Sequence, residues 1–140
     1  MNKILFSNAD ILFTLKNKRK IAQWIIETIE KEKKTCGQIS FVFCSDTFLL
    51  DLNQRFLKHN TYTDIITFDY TEGKNLNGEI YISIDRVKEN AQKFKVDFKK
   101  ELLRVIIHGI LHLAGYKDKT KEQKEKMRKK EDLALKKIEF

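Results

Sequence analysis

The spacing of apolar residues alternates along the chain between the period of a helix and that of a strand. Apolar side chains recur at intervals of three and four in five segments, which predicts helices at 16–34, 46–57, 85–94, 98–114 and 120–140. Short runs rich in β-branched and aromatic residues predict strands at 4–6, 38–44, 64–70 and 79–84. Strands interrupted by helices indicate an α+β architecture.

Local signals predict where several of these elements begin. Asp46, Asp85 and Asp97 each open or precede a helical segment and are predicted N-caps. The run 71–78, rich in Gly and Asn, predicts a turn, so the strands on either side should form an antiparallel hairpin. The sequence therefore predicts one α+β domain over residues 1–140, with a small mixed sheet of about four strands and helices packed mainly on one face.

The segment 98–114 is apolar on nearly every side, as expected for a helix buried in a protein core. Its polar side chains form a single stripe, made of Glu101, Arg104, His108 and His112. Because unpaired polar groups are costly to bury, this stripe needs partners or a cleft. The pattern predicts a functional site at the end of a buried central helix.

Two of the three histidines in the chain, His108 and His112, stand four positions apart on this helix. Imidazoles with that spacing leave the same face, about 6 Å apart along the axis, and can bind one metal ion. Gly115 can end the helix and turn the chain back, so that Asp118 reaches the ion as a third ligand. Three protein ligands with one open position are typical of a catalytic metal. Core histidines without a metal are the alternative that the pattern alone leaves open.

The same spacing raises the possibility of a metal-dependent peptide hydrolase. Metzincin proteases have the same ligand spacing, with histidine as the third ligand. They also carry a glutamate directly after the first histidine, which acts as general base. Gly109 occupies that position here and cannot accept a proton. The sequence therefore disfavours peptide hydrolysis by that route.

The charge of the chain favours a polyanionic partner. Its 28 Lys and Arg residues outnumber its 20 Asp and Glu residues, which gives a formal net charge of +8. Such an excess promotes binding to nucleic acid through counterion release and steering. No apolar run approaches the ~18 residues of a membrane span, and the start of the chain lacks a signal-peptide pattern. We expect a soluble cytoplasmic protein in which Cys36 and Cys44 are reduced.

Several separated motifs resemble those of the YbeY family of bacterial endoribonucleases. The string HGILHLAGY, from His108 to Tyr116, is similar to that family's HGxLHLxGYDH. The segments TDIITF and GEIYIS are similar to its TDVLSF and GDIxIS. The other matching positions are Leu52, Asn53, Met127 and Glu131. The resemblance covers residues 50–135 in matching order.

This resemblance implies a single-strand-specific, metal-dependent endoribonuclease of the cytoplasm. The family acts in ribosomal RNA processing, at the 3′ end of the small-subunit RNA, and in ribosome quality control. The implied partners are ribosomal RNA and the small subunit or its proteins, with no membrane or DNA. The implied cofactor is one Zn²⁺ ion or another divalent ion, held by His108, His112 and Asp118. The family has a third histidine where this chain has Asp118, and a carboxylate there favours harder ions.

A second departure from the family concerns the residues that contact RNA. The family has an arginine at the position that Leu57 occupies in this chain. We therefore expect Arg55, Lys58 and Lys117 to neutralise the charge on the RNA phosphate instead.

The sequence leaves three candidates for the group that accepts the proton: Asp64, Glu79 and a metal-bound hydroxide. The alternative function is a non-catalytic, ribosome-associated RNA-binding factor in which the metal only holds the end of the helix.

Overall fold

The computed structural model describes residues 3–138, which form four strands and five helices. The elements, in chain order, are β1 (Ile4–Asn8), α1 (Lys18–Lys31), β2 (Thr35–Cys44), α2 (Asp46–Phe56), β3 (Ile65–Asp69), β4 (Asn75–Ser83), α3 (Ile84–Phe94), α4 (Phe98–Leu113) and α5 (Lys121–Leu135). The α+β class predicted from the sequence is confirmed. Within the described residues, no helix is long and apolar enough to cross a membrane.

The strands form one mixed sheet in the order β1-β2-β4-β3. β1 and β4 each pair with β2 in parallel, whereas β3 pairs with β4 in the predicted antiparallel hairpin. Because β3 is an edge strand, every second residue turns its backbone N–H and C=O away from the sheet. The backbone bonds of Asp64 and Tyr70 to β4 leave Ile65, Thr67 and Asp69 as the outward-facing residues.

The two faces of the sheet are covered unequally. The main core lies on the face where the odd-numbered apolar residues of β2 and the even-numbered ones of β4 meet α1 and α4. α3 and α5 flank α4 on the same side. On the other face α2 packs alone, with Leu49 against Cys44 and Ile66. The prediction of helices mainly on one face is confirmed.

Two predicted N-caps are wrong by one or two residues. The hydroxyl of Ser45 accepts a hydrogen bond from the backbone N–H of Phe48 and caps α2, and Ser83 caps α3 in the same way. Asp46 and Asp85 therefore lie in the first turns of their helices, where a carboxylate is also favourable next to the positive end of the helix dipole. In each case a serine stands at the boundary and competes for the cap position.

Other boundaries also differ from the sequence prediction. β4 begins at Asn75, so the predicted turn at 71–78 is too long; the chain reverses between Glu72 and Asn75, around Gly73 at φ +59°. Asp97 occupies the predicted N-cap position of α4, but its side chain makes no capping hydrogen bond. α5 begins after a capping box at Thr120 and ends at residue 135; the last two residues of the predicted helix lie outside the described residues.

α4 approaches the sheet closely at Gly109. A Cβ atom at that position would lie 3.0 Å from Cδ1 of Ile65 and from Cδ1 of Ile80. The side of α4 that carries Gly109 therefore faces the sheet, and a glutamate there would be forced into the core. His108 lies beside this contact, so the packing of α4 on the sheet also fixes where that imidazole points.

We predict that Gly109→Val lowers the free energy of unfolding by about 1–3 kcal/mol, because the added isopropyl group overpacks the contact with the sheet. Urea denaturation measures this change. Lys129→Val, at an exposed position of α5, is the control for the cost of a β-branched residue in a helix. Equal losses in the two variants would contradict the close-packing explanation.

Candidate metal centre

Three side chains converge at the end of α4. The Nε2 atoms of His108 and His112 lie 3.1 Å apart. Oδ2 of Asp118 lies 3.2 Å from Nε2 of His108 and 3.5 Å from Nε2 of His112. The structure thus brings together the three residues that the sequence singles out, as a group that could hold a metal ion.

The spacing of these donor atoms suits a small divalent ion. Zinc bonds of about 2.0–2.1 Å in a tetrahedral arrangement require ligand atoms roughly 3.3 Å apart. The three observed separations, 3.1, 3.2 and 3.5 Å, lie close to that value. Two imidazole nitrogens and one carboxylate oxygen are also a donor set that zinc accepts. The triangle fits an ion with a fourth position left for water or substrate.

A tight turn after α4 brings Asp118 back to the histidines. Gly115 adopts φ +106°, a backbone conformation that residues with a side chain rarely reach. The next residue, Tyr116, donates its backbone N–H to the carbonyl of Leu111 and its hydroxyl to Oε1 of Glu32, the C-cap residue of α1, at 2.6 Å. The turn is therefore held from both sides, which positions Asp118.

A buried acid orients the first histidine. Nδ1 of His108 lies 2.6 Å from Oε2 of Glu131, whose side chain is only 6% exposed. With Nδ1–H donating to this carboxylate, Nε2 keeps its lone pair for a metal ion. Arg104 donates from Nη1 to Oε1 of Glu131 and from Nη2 to Asp132. Glu131 thus holds the tautomer of His108, and Arg104 holds Glu131.

The sequence matched Glu131 to a family motif but gave it no role at the site. The signal that could have revealed the role is the polar stripe on α4, which needs buried partners. An acidic residue at a seam position of α5, close to Met127 and Ala134, is such a partner. Sequence spacing alone does not reveal which acid of the highly charged α5 faces inward.

The two histidines differ in their affinity for protons. Burial lowers the pKa of His108, but the hydrogen bond to Glu131 and the charges of Glu131, Asp118 and Asp64 outweigh burial, so the net pKa is raised. Burial, together with the neighbouring His108, lowers the pKa of His112. Protons therefore compete with a metal ion mainly at His108.

Two cavities meet at this centre. One, here called the helix-side cavity, has a volume of about 420 Å³ and lies between α3, α4 and α5. The other, called the edge cleft, has a volume of about 580 Å³ and runs along the open edge of β3. His108, Asp118 and Asp64 line both. A chain-like ligand lying across the centre would therefore have space on either side.

Asp64 is the one predicted proton acceptor that the structure places at the centre. Burial raises its pKa, and the charge of His108 acts in the opposite direction. Glu79 lies elsewhere, because strand alternation puts it on the sheet face opposite α4, where it accepts a hydrogen bond from Tyr70. The prediction of Glu79 as a proton acceptor therefore has no geometric support.

The predicted phosphate-binding residues are not brought together. Arg55 lies on the exposed side of α2 and pairs with Asp51 at 3.1 Å. Arg55, Lys58 and Lys117 are exposed and line neither cavity. Lys119, which flanks Asp118 in the sequence, lines the edge cleft. It is a better placed cation for a phosphate next to Asp118.

Comparison with known proteins identifies the family. Residues 4–139 match the family model described as endoribonuclease YbeY. The chain belongs to the YbeY family. It is 48% identical to endoribonuclease YbeY of Flavobacterium psychrophilum, over 92% of each chain. It is 51% identical to that of Christiangramia forsetii, over 91% of this chain and 87% of the relative.

A solved structure shares the fold of this chain. The solution structure of a Thermotoga maritima protein superposes with a TM-score of 0.64 and 33% identity, over 96% of this chain and 90% of the other. The resemblance predicted from the motifs is therefore confirmed. YbeY relatives carry the name of an endoribonuclease, so neither the peptide hydrolase nor the non-catalytic factor is favoured.

We predict that zinc affinity falls as the pH falls through the raised pKa of His108, because that imidazole must lose its proton to bind. Glu131→Gln should weaken zinc binding at pH 8 by about 10- to 100-fold, the usual effect of losing such an outer partner. It should also move the pH dependence to lower pH, since the group that raises the pKa of His108 is gone.

Competition with a chromophoric chelator measures both effects. Asp132→Asn is the matched control, because Asp132 contacts the same Arg104 but not His108. Unchanged zinc affinity in Glu131→Gln would show that Glu131 does not support the ligand.

Proposed function

We propose that this protein is a zinc-dependent endoribonuclease that cuts single-stranded RNA during ribosomal RNA processing, at the 3′ end of the small-subunit RNA, and in ribosome quality control. The observation that carries the proposal is the triangle of donor atoms on His108, His112 and Asp118, open on one side, in a chain of the YbeY family. A divalent ion bound there would polarise a phosphoryl oxygen and make bound water more acidic.

The residues around the ion would then divide the remaining work. Glu131 and Arg104 keep Nε2 of His108 directed at the metal position. Asp64 lines both cavities beside the ligands, and its raised pKa brings it closer to the range in which a carboxylate can accept a proton near neutral pH. Lys119 would face the phosphate in the edge cleft and stabilise its developing charge.

The proposed partners are ribosomal RNA and the small subunit, and the proposed location is the cytoplasm. The charge of +8 supports an RNA partner, because each phosphate contact releases counterions and the basic surface steers the approach of RNA. α5 presents many of these cations on its solvent side, including Lys124 and Arg128.

We predict that purified protein loaded with zinc cuts a single-stranded RNA containing the 3′ end of the small-subunit RNA, and that His112→Ala reduces cleavage at least about 100-fold, because it removes a metal ligand. His59→Ala is the matched control, since this third histidine is exposed and lines neither cavity. Gel analysis of end-labelled RNA gives the rates.

Equal cleavage by the wild type and His112→Ala would identify a contaminating nuclease and remove the support for this function. Metal analysis of both proteins should show loss of bound metal in the His112 variant only.

We predict that Asp64→Asn reduces kcat by about 100-fold or more, the usual contribution of a positioned base, with little change in KM. The rise of kcat with pH that reports ionisation of Asp64 should disappear in this variant. Lys119→Ala provides the contrast, because loss of a phosphate contact should also raise KM. An unchanged pH profile in Asp64→Asn would exclude Asp64 as the proton acceptor.

A further inference from the structure

The helix-side cavity contains an aromatic ring at its mouth. Phe94, the last residue of α3, lines the cavity and is 55% exposed, although large apolar side chains are usually buried. Lys93 lies 5.8 Å from the centre of this ring. An exposed aromatic ring with a nearby cation is the arrangement on which single-stranded nucleic acids stack their bases.

The inner wall of the cavity contains a buried acid that interacts with the charges of Arg104 and Arg128 but accepts no hydrogen bond from either. Glu101 of α4 is 7% exposed and lines the cavity together with Asp64. Among residues 3–138, no side chain donates a hydrogen bond to either carboxylate. A buried carboxyl group without donors is costly, so Glu101 favours a ligand that brings N–H groups into the cavity.

Two cations stand at the opening, and a third, Arg104, lines the interior but is already paired with Glu131 and Asp132. Lys124 and Arg128 of α5 line the cavity and are exposed. A ligand with an N–H-rich, flat inner part and a negatively charged outer part would satisfy both regions. The cavity volume of about 420 Å³ lies within the range of roughly 300–1,000 Å³ for small-molecule sites.

We propose that the helix-side cavity binds one unpaired nucleobase of the RNA substrate, stacked on Phe94, with its N–H edge toward Glu101 and its flanking phosphates near Lys124 and Arg128. This inference rests on the proposed function and specifies how its substrate is held. Because the cavity shares His108 and Asp118 with the edge cleft, the bound base belongs to a nucleotide next to the phosphate at the metal centre.

The chemistry of the inner wall also sets a base preference. The carboxylate of Glu101 has two oxygens that accept hydrogen bonds and, when ionised, donate none. Guanine presents adjacent N1–H and N2–H donors on one edge, whereas uracil presents a single N–H between two acceptor carbonyls. The cavity therefore favours guanine over uracil at this position, in single-stranded RNA whose base edges are free.

Fluorescence anisotropy with fluorescein-labelled single-stranded RNA of about eight nucleotides tests the stacking, with EDTA present to prevent cleavage. Phe94→Ala should weaken binding by about 5- to 150-fold, the usual cost of losing a base–aromatic stack. Phe56→Ala is the matched control, because Phe56 is 61% exposed but lies on α2, on the opposite face of the sheet. Equal weakening by the two variants would overturn the proposal.

RNAs with a single abasic nucleotide, moved one position at a time, locate the bound base. In the wild type one position should weaken binding more than the others, and at that position Phe94→Ala should add little further loss. Additive losses at every position would overturn the proposal. With guanine or uracil at that position, Glu101→Gln should reduce the preference for guanine; a preference unchanged by this variant would exclude Glu101 as the recognising group.

These measurements separate the inference from the function on which it rests. Cleavage by the wild type with no coupling between Phe94 and any base would leave the proposed function intact and reject the base pocket. Coupling between Phe94 and one base, in a protein that never cuts RNA, would reject the endonuclease function while the pocket stands.

Discussion

The hydrogen bond between His108 and Glu131 is the interaction on which the arrangement of the site depends. It joins α4 to α5 next to the metal position, and Arg104 links Glu131 to the neighbouring Asp132 of α5. Without this hydrogen bond, His108 could present either ring nitrogen to the metal ion, and the buried carboxylate of Glu131 would lose a partner. One contact therefore sets the tautomer of a ligand and the docking of the last helix.

The core provides the rigidity that this contact needs. α4 is buried along most of its length, and at Gly109 its backbone packs directly on the side chains of Ile65 and Ile80. Two of the three donor atoms stand on this helix, so their separation is fixed by packing rather than by a loop. The third, on Asp118, comes from a turn held by Gly115 and by the bond from Tyr116 to Glu32.

Sequence reasoning gave most of the fold and the donor triangle, because both follow from local periodicity. His108 and His112 are neighbours on any helix, and Asp118 needs only a glycine turn to join them. The predicted N-caps of α2 and α3 lie one or two residues late, because serine and aspartate compete for the cap position at Ser45 and Ser83. The roles of the surrounding residues were harder to predict. Whether Glu79 and Arg55 reach the site depends on which face of the sheet or helix carries them, and whether Glu131 does depends on how α5 packs against α4. These placements are set by tertiary packing, which the local sequence pattern does not encode.

The carboxylate of Asp118 has a consequence for how the centre interacts with its surroundings. A divalent ion held by two neutral imidazoles and one carboxylate carries a net charge of about +1. The adjacent Glu131 cancels that charge, and Arg104, which pairs with Glu131, is balanced by its other partner, Asp132. The ligand cluster is then nearly neutral when seen from a distance, whereas the whole chain carries +8. Long-range attraction of RNA therefore comes from the lysines and arginines of the surface and is screened by salt, while the short-range chemistry at the ion is not. Ionic strength should therefore weaken both the encounter with RNA and its binding, and act much less on the chemical step at the ion.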